Sequence, residues 1–94
     1  TPKGIMTLLR HYDIEVAGKN VVVVGRSNIV GKPMALMLIN AGATVISCNS
    51  STKHLGEKTR NADILIVAAG SPGLITRDMV TEDTIVIDVG NTFE

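Results

Sequence analysis

Aromatic side chains are nearly missing from this sequence, which has no Trp, one Tyr and one Phe. The large rings that anchor many mixed cores are not there, so any core must be aliphatic. Nor is either charge in excess. Nine Lys and Arg balance nine Asp and Glu, so no bulk field draws the chain to nucleic acid or to an anionic membrane surface, and any phosphate must be held by local donors. A single cysteine, Cys48, excludes an internal disulfide. It sits in an apolar run, where it reads as a small buried hydrophobe and fits a reducing compartment. No apolar run approaches the roughly 18 residues that would span a bilayer, and Thr1-Pro2-Lys3 does not open a signal peptide. The chain has no initiator Met, as expected of a piece of a longer protein. His11 and His54 lack metal-ligand spacing and are expected to be solvent-exposed. No Ser, His and Asp constellation stands in a recognisable catalytic context.

What the sequence does have is aliphatic runs separated by helix formers. Its 94 residues are 45% hydrophobic, enough for one small domain that buries around 60–65% of its unfolded surface. Thr1-Pro2 followed by Ile5, Leu8 and Leu9 reads as an N-capped helix with proline in its first turn, fading near His11-Tyr12. After a turn at Gly18-Lys19-Asn20, the run Val21-Val22-Val23-Val24 reads as a strand buried on both faces, which requires helices above and below it. A helix over Pro33 to Ile39 follows, stopped by Gly42 as a left-handed cap residue. Thr44 to Cys48 is a second strand. A short helix is expected around Leu55 to Thr59, and a third strand over Asp63 to Ala69, closed by Gly70-Ser71-Pro72-Gly73. Thr76 to Val80 is a helical turn, and Thr84 to Val89 a fourth strand. Asp63 and Asp88 flank strands and read as turn or cap residues. Strands alternating with helices imply right-handed parallel crossovers, hence an α/β, three-layer, doubly wound parallel sheet in the order 2-1-3-4. The expected ligand crevice lies at the carboxyl ends of strands one and three, a topological switch point.

Gly25-Arg26-Ser27-Asn28-Ile29-Val30-Gly31 directly follows a strand and opens a helix, the context that a dinucleotide fingerprint of Rossmann type requires. Gly25 permits a sharp turn, Ser27 allows close backbone approach and adds a hydroxyl, and Gly31 lets helix and strand pack closely. The helix N-terminus offers free N–H groups and a positive dipole end to a pyrophosphate. The pattern departs from GxGxxG, since Ser27 stands at the second glycine and the third falls one place late at Gly31. NAD-specific domains place an acidic residue at the end of the second strand, roughly 20 residues past the glycines, to accept from the ribose 2′-hydroxyl. Here that region reads Cys48-Asn49-Ser50-Ser51-Thr52-Lys53, with hydroxyls and a cation. A 2′-phosphate wants a guanidinium and hydroxyl donors, which Arg26 and Ser50 could supply. The expected cofactor is therefore NADP. Small residues at Ala68-Ala69-Gly70 and at Val89-Gly90 would let a flat cofactor lie against the sheet.

These segments resemble a known family. Thr1-Pro2-Lys3-Gly4, Val24-Gly25-Arg26-Ser27-Asn28-Ile29-Val30-Gly31-Lys32-Pro33-Met34, Ala62-Asp63-Ile64-Leu65 and Val86-Ile87-Asp88-Val89-Gly90 are similar to the NAD(P)-binding domain of bifunctional methylenetetrahydrofolate dehydrogenase/cyclohydrolases. The resemblance covers almost the whole chain. It implies an NADP-dependent enzyme of one-carbon metabolism and purine biosynthesis, a cytoplasmic homodimer that oxidises 5,10-methylenetetrahydrofolate to the methenyl form and hydrolyses that to 10-formyltetrahydrofolate. It places cofactor contacts on Gly25, Arg26, Ser27, Ile29 and Ser50 and near Ala68 and Gly90, with Arg26 and Ser50 on the 2′-phosphate. The family's catalytic Lys and Tyr belong to an N-terminal folate-binding domain that residues 1–94 do not contain, so no catalytic residue is assigned here. Beyond Gly90 the family continues with Ile or Thr and then Asn-Arg, whereas this chain reads Asn91-Thr92-Phe93-Glu94. The expectation is a truncated nucleotide-binding domain that holds NADP without turnover on its own. A different class of reading, a non-catalytic dinucleotide-binding regulatory module, would use the same glycine turn. A third is a folded fragment whose ligand site is incomplete.

Overall fold

Valine is branched at Cβ and settles readily onto a pleated surface, and four in succession form most of β1 (Asn20–Val24). A computed structural model describes residues 2–25, 31–49, 51–68 and 75–89. Around β1 it sets β2 (Thr44–Cys48), β3 (Ile64–Val67) and β4 (Ile85–Asp88), with α1 (Pro2–His11), α2 (Gly31–Asn40), α3 (Leu55–Arg60) and a 3-10 turn (Arg77–Met79) between or before them. The strands are all parallel, in the order β2-β1-β3-β4. The sequence-based order and element types hold; Thr1 and 69–74, which carry the expected cap and strand-closing breakers, lie outside the described residues.

Alternate residues of the inner strands feed two separate cores. Val21, Val23, Ile64 and Ile66 pack with Ile5 and Leu9 of α1 and Met34 and Leu38 of α2. Val22, Val24, Leu65 and Val67 face the other way, with Cys48 and Ala62, against Leu55, Ile75 and Val80. Three layers result, with α1 and α2 on one face and α3 and the 3-10 turn on the other. The inner strands are buried along both faces, whereas β2 and β4 are edges, and Ile46, Ile85 and Val86 stay partly open to solvent. Leu8, whose spacing from Ile5 fits the apolar pattern of α1, is exposed. The stripe is narrower than the sequence implies because Ile5 and Leu9, one turn apart, carry the contact.

Helix ends and strand starts are stitched by specific bonds. Gly42 adopts φ +90°, its N–H donates to Ile39 O at 3.0 Å, and Ala43 N–H donates to Leu38 O at 3.0 Å. That is a Schellman stop, which favours glycine because the left-handed conformation penalises a Cβ. At the amino ends of the strands, Asn20 N–H donates to the Asp63 carboxylate at 2.9 Å, Asp63 N–H returns a bond to Asn20 O at 2.8 Å, and Ile85 N–H donates to Asp63 O at 3.0 Å. Asp63 therefore sets the register of β1, β3 and β4, in keeping with its reading as a cap residue. The third and fourth strands are shorter than expected, yet Ala68 N–H donates to Val24 O at 2.7 Å and Val89 N–H to Val67 O at 2.8 Å, so the ladder runs one residue past each.

Leu38 is fully buried while Leu36, two residues earlier on α2, is 59% exposed. Leu38→Ala should cost about 3 kcal/mol of unfolding free energy, since it leaves a cavity against β1, and Leu36→Ala less than about 0.5 kcal/mol. Urea unfolding of the two variants checks this, and equal losses would contradict the packing. Burial raises the Cys48 thiol above the ordinary cysteine value, against smaller opposing effects of a hydrogen bond with Thr52 and the charge of Lys58. A raised value means that the folded state holds the proton longer than the unfolded one. The associated stability is complete below the ordinary cysteine value and is lost as pH climbs through the raised one. In native protein at pH 8, Cys48 should resist iodoacetamide until urea unfolds the chain; rapid native alkylation would refute its burial.

Candidate functional site

The chain leaves β1 for α2 on one face of the sheet and leaves β3 for the 3-10 turn on the other. Because β1 and β3 are neighbours, their connections diverge, and a crevice opens at their carboxyl ends. Gly25 sits there, with φ 114°, a backbone conformation natural to glycine and strained for residues with a Cβ. Its N–H donates to Cys48 O at 2.7 Å, which holds the start of the glycine turn against the end of β2. On the opposite side, Ala68 N–H bonds Val24 O. Gly25 and Ala68, two of the expected cofactor contacts, are thus placed side by side at the switch point.

Arg26, Ser27, Ile29, Ser50 and Gly90 lie outside the described residues. Their flanks do not. Gly25 and Gly31 bracket positions 26–30, Asn49 and Ser51 bracket position 50, and Val89 precedes position 90. All these brackets fall at the carboxyl ends of the strands or at the start of α2. Gly31 is buried, in keeping with close helix–strand packing, and the first turn of α2 contains no acidic residue, so nothing there opposes an anion at the positive dipole end. The first turn of α3 carries Glu57 instead.

One part of the site escaped the sequence reading. Beyond β2 the chain closes a tight turn in which Asn49 N–H donates to Thr52 Oγ1 at 2.8 Å, Ser51 N–H to Asn49 Oδ1 at 2.8 Å, and Thr52 N–H to Asn49 O at 3.0 Å. The signal was present, since short polar side chains after a strand favour such local bonds. Composition alone shows only that the segment carries hydroxyls and a cation.

Other polar features are structural. Arg60 Nη1 donates to Asp78 O at 3.1 Å, linking α3 to the 3-10 turn. The Thr76 hydroxyl bonds the Asp78 carboxylate and, with a backbone bond, holds it below the usual carboxylate range. His11 and His54 are both exposed, as expected. Among the described residues no three His, Cys, Asp or Glu side chains could hold a metal ion together.

The model of the tetrahydrofolate dehydrogenase/cyclohydrolase NAD(P)-binding domain matches residues 1–94. The bifunctional protein FolD of Fusobacterium nucleatum is 60% identical over 90 residues, covering 96% of this chain and 32% of that protein. The crystal structure of the bifunctional dehydrogenase/cyclohydrolase FolD of Campylobacter jejuni superposes with a TM-score of 0.91 at 56% identity, over 94% of this chain and 31% of that one. The Trypanosoma brucei enzyme, solved with NADP cofactor and inhibitor, gives a TM-score of 0.90 at 41% identity, over 97% of this chain and 31% of that one. The chain spans about a third of the length of the curated relatives it matches. With the glycine turn, the parallel sheet and the family match in agreement, the chain belongs to the tetrahydrofolate dehydrogenase/cyclohydrolase family, as its NAD(P)-binding domain.

Proposed function

We propose that this chain is the NADP-holding part of an enzyme that oxidises 5,10-methylenetetrahydrofolate to the methenyl form and hydrolyses that product to 10-formyltetrahydrofolate. The observation that carries the reading is the join of Gly25 to the end of β2 through a 2.7 Å bond to Cys48 O, at a crevice whose helix N-terminus has no acidic residue. Two phosphate-facing segments, the glycine turn and the turn beyond β2, are held together there. A bound NADP supplies a hydride acceptor. The chain's own groups do the holding: Gly25 gives the backbone room to turn, the start of α2 faces the pyrophosphate, Ser27 adds a hydroxyl, and Arg26 with Ser50 takes the 2′-phosphate. Ile29, Ala68 and Gly90 bound the cofactor with small or apolar surface. The chemistry of the T. brucei relative, solved with NADP, supports the same choice of cofactor.

Hydride transfer needs donor and acceptor within about 3–3.5 Å in aligned geometry. Folate in this reading is held by a separate N-terminal domain, so the 94-residue chain binds cofactor and does not turn over. By kinship the reading extends to a cytoplasmic homodimer serving purine biosynthesis. Among the described residues, no helix is long and apolar enough to cross a membrane.

Calorimetric titration of the chain should show NADP binding more tightly than NAD. Arg26→Ala should weaken NADP by about tenfold or more, the worth of a charge-assisted bond, and leave NAD nearly unchanged. Equal wild-type affinities, or an Arg26→Ala variant that keeps its NADP affinity, would defeat the assignment.

A further inference from the structure

We propose that a cavity at the end of the sheet opposite the crevice is a second small-molecule site, one that takes an α-amino acid with a large apolar side chain. It lies where α1 and α2 end and β1 starts, and none of its residues belongs to the cofactor reading. Its volume is about 450 Å³, within the range of roughly 300–1,000 Å³ usual for small-molecule pockets. Met6 and Leu9 of α1, Ile14 and Val16 of the connection to β1, and Ala41 beyond α2 give it apolar walls. Leu9 and Val16 are buried and the other three half-buried.

Three charged side chains complete the lining: the Arg10 guanidinium and the Asp13 and Glu15 carboxylates. All three are exposed, and among the described residues none of them is engaged in an ion pair or a side-chain hydrogen bond. One cation and two anions around a single cavity, not neutralising one another, match a zwitterion. Arg10 takes the ligand carboxylate in a charge-assisted fork, Asp13 and Glu15 take its ammonium, and the apolar walls favour a large side chain by the surface it removes from water. The excess of one negative charge disfavours a ligand that is only an acid. The backbone of the walls is set before a ligand arrives. Ile14 N–H donates to Leu9 O at 2.9 Å and Asp13 N–H to Arg10 O at 3.0 Å, while Lys19 N–H closes the connection on Val16 O at 3.0 Å and Gly18 N–H ties it to Gly42 O at 3.0 Å. Little backbone ordering is left for the ligand to impose.

Titration of the chain with L-phenylalanine, followed by amide chemical shifts, tests this. Saturable shifts should centre on residues 10–16 and on Ala41, with a dissociation constant on the order of millimolar, as suits so small a ligand. Arg10→Ala should weaken binding about tenfold, the worth of a charge-assisted bond. Asp13→Asn, which removes the charge and still tolerates the left-handed turn, should weaken it about fivefold. Phenethylamine, the same amine without the carboxylate, should bind the wild type about tenfold more weakly than L-phenylalanine and be indifferent to Arg10→Ala. Ala41→Leu should fill the cavity and abolish saturation, and because Arg10 and Asp13 are exposed, their variants keep the test open if that one fails to fold. Shifts that never saturate, shifts centred on Gly25 or Ala68, an Arg10→Ala variant that keeps its affinity, or phenethylamine binding as tightly as L-phenylalanine would each overturn the proposal, and would leave the cofactor reading untouched.

Discussion

Burial of β1 on both faces is the constraint from which the rest follows. Its valines are essentially without exposure, and a strand covered on both sides in a parallel sheet needs helical connections on each face. Those connections must leave neighbouring strands in opposite directions somewhere, and here they do so between β1 and β3. The crevice is thus a geometric consequence of the covered central strand. Register then determines which residues meet there: Val24 pairs with Cys48 on one side and with Val67 on the other, which brings Gly25, Asn49 and Ala68 to a common level. Asp63 secures that level from the far end of the sheet through its bonds to Asn20 and Ile85.

Much of this was legible in the sequence because its signals are local. The valine run, the Gly42 stop and the alternation of strands with helices each follow from a short stretch read on its own, and the order 2-1-3-4 follows from crossover handedness. What resisted reading depends on partners distant in the chain or on side chains acting for the backbone. The end of α1 near His11-Tyr12 was legible, but the device that makes it was not: Asp13 turns at φ 56° and Ile14 N–H reaches Leu9 O at 2.9 Å, with no glycine to announce the stop, because Asp tolerates the left-handed region better than most residues. Leu8 has the spacing of a core residue, but burial on so short a helix is decided by what lies opposite it. In the candidate site, the adjacency of the carboxyl ends of β1 and β3 was legible, and Gly25 and Ala68 lie there. The linkage of Gly25 to Cys48 was not, because it joins residues 23 positions apart through backbone atoms alone.

The two cores also differ in what they permit. The face under α1 and α2 is wholly aliphatic, and it fixes the start of α2 by burying Gly31 and Met34. The opposite face includes Cys48 and is closed by a short helix and a 3-10 turn. Its polar bonds, from Arg60 to the Asp78 carbonyl and from the Thr76 hydroxyl to the Asp78 carboxylate, supply order that a six-residue helix cannot supply by propensity, since isolated helices of that length are marginal. Packing therefore aims the helix dipole on one face, while hydrogen bonds shape the turn beyond β2 on the other.

Charge balance explains why those hydrogen bonds matter. With nine cations set against nine anions, the domain offers no long-range attraction that would favour a cofactor with an added phosphate over one without it. Discrimination must come from groups in contact, and a contact discriminates only when its geometry is set before the ligand arrives; a flexible loop would spend part of each new bond on its own ordering. The turn beyond β2 is set in this way by bonds among Asn49, Ser51 and Thr52. In the reading proposed above, a guanidinium at position 26 would supply such a contact to the 2′-phosphate. On that reading a neutral domain would separate two dinucleotides that differ by a single phosphate through short-range groups carried at the ends of the sheet.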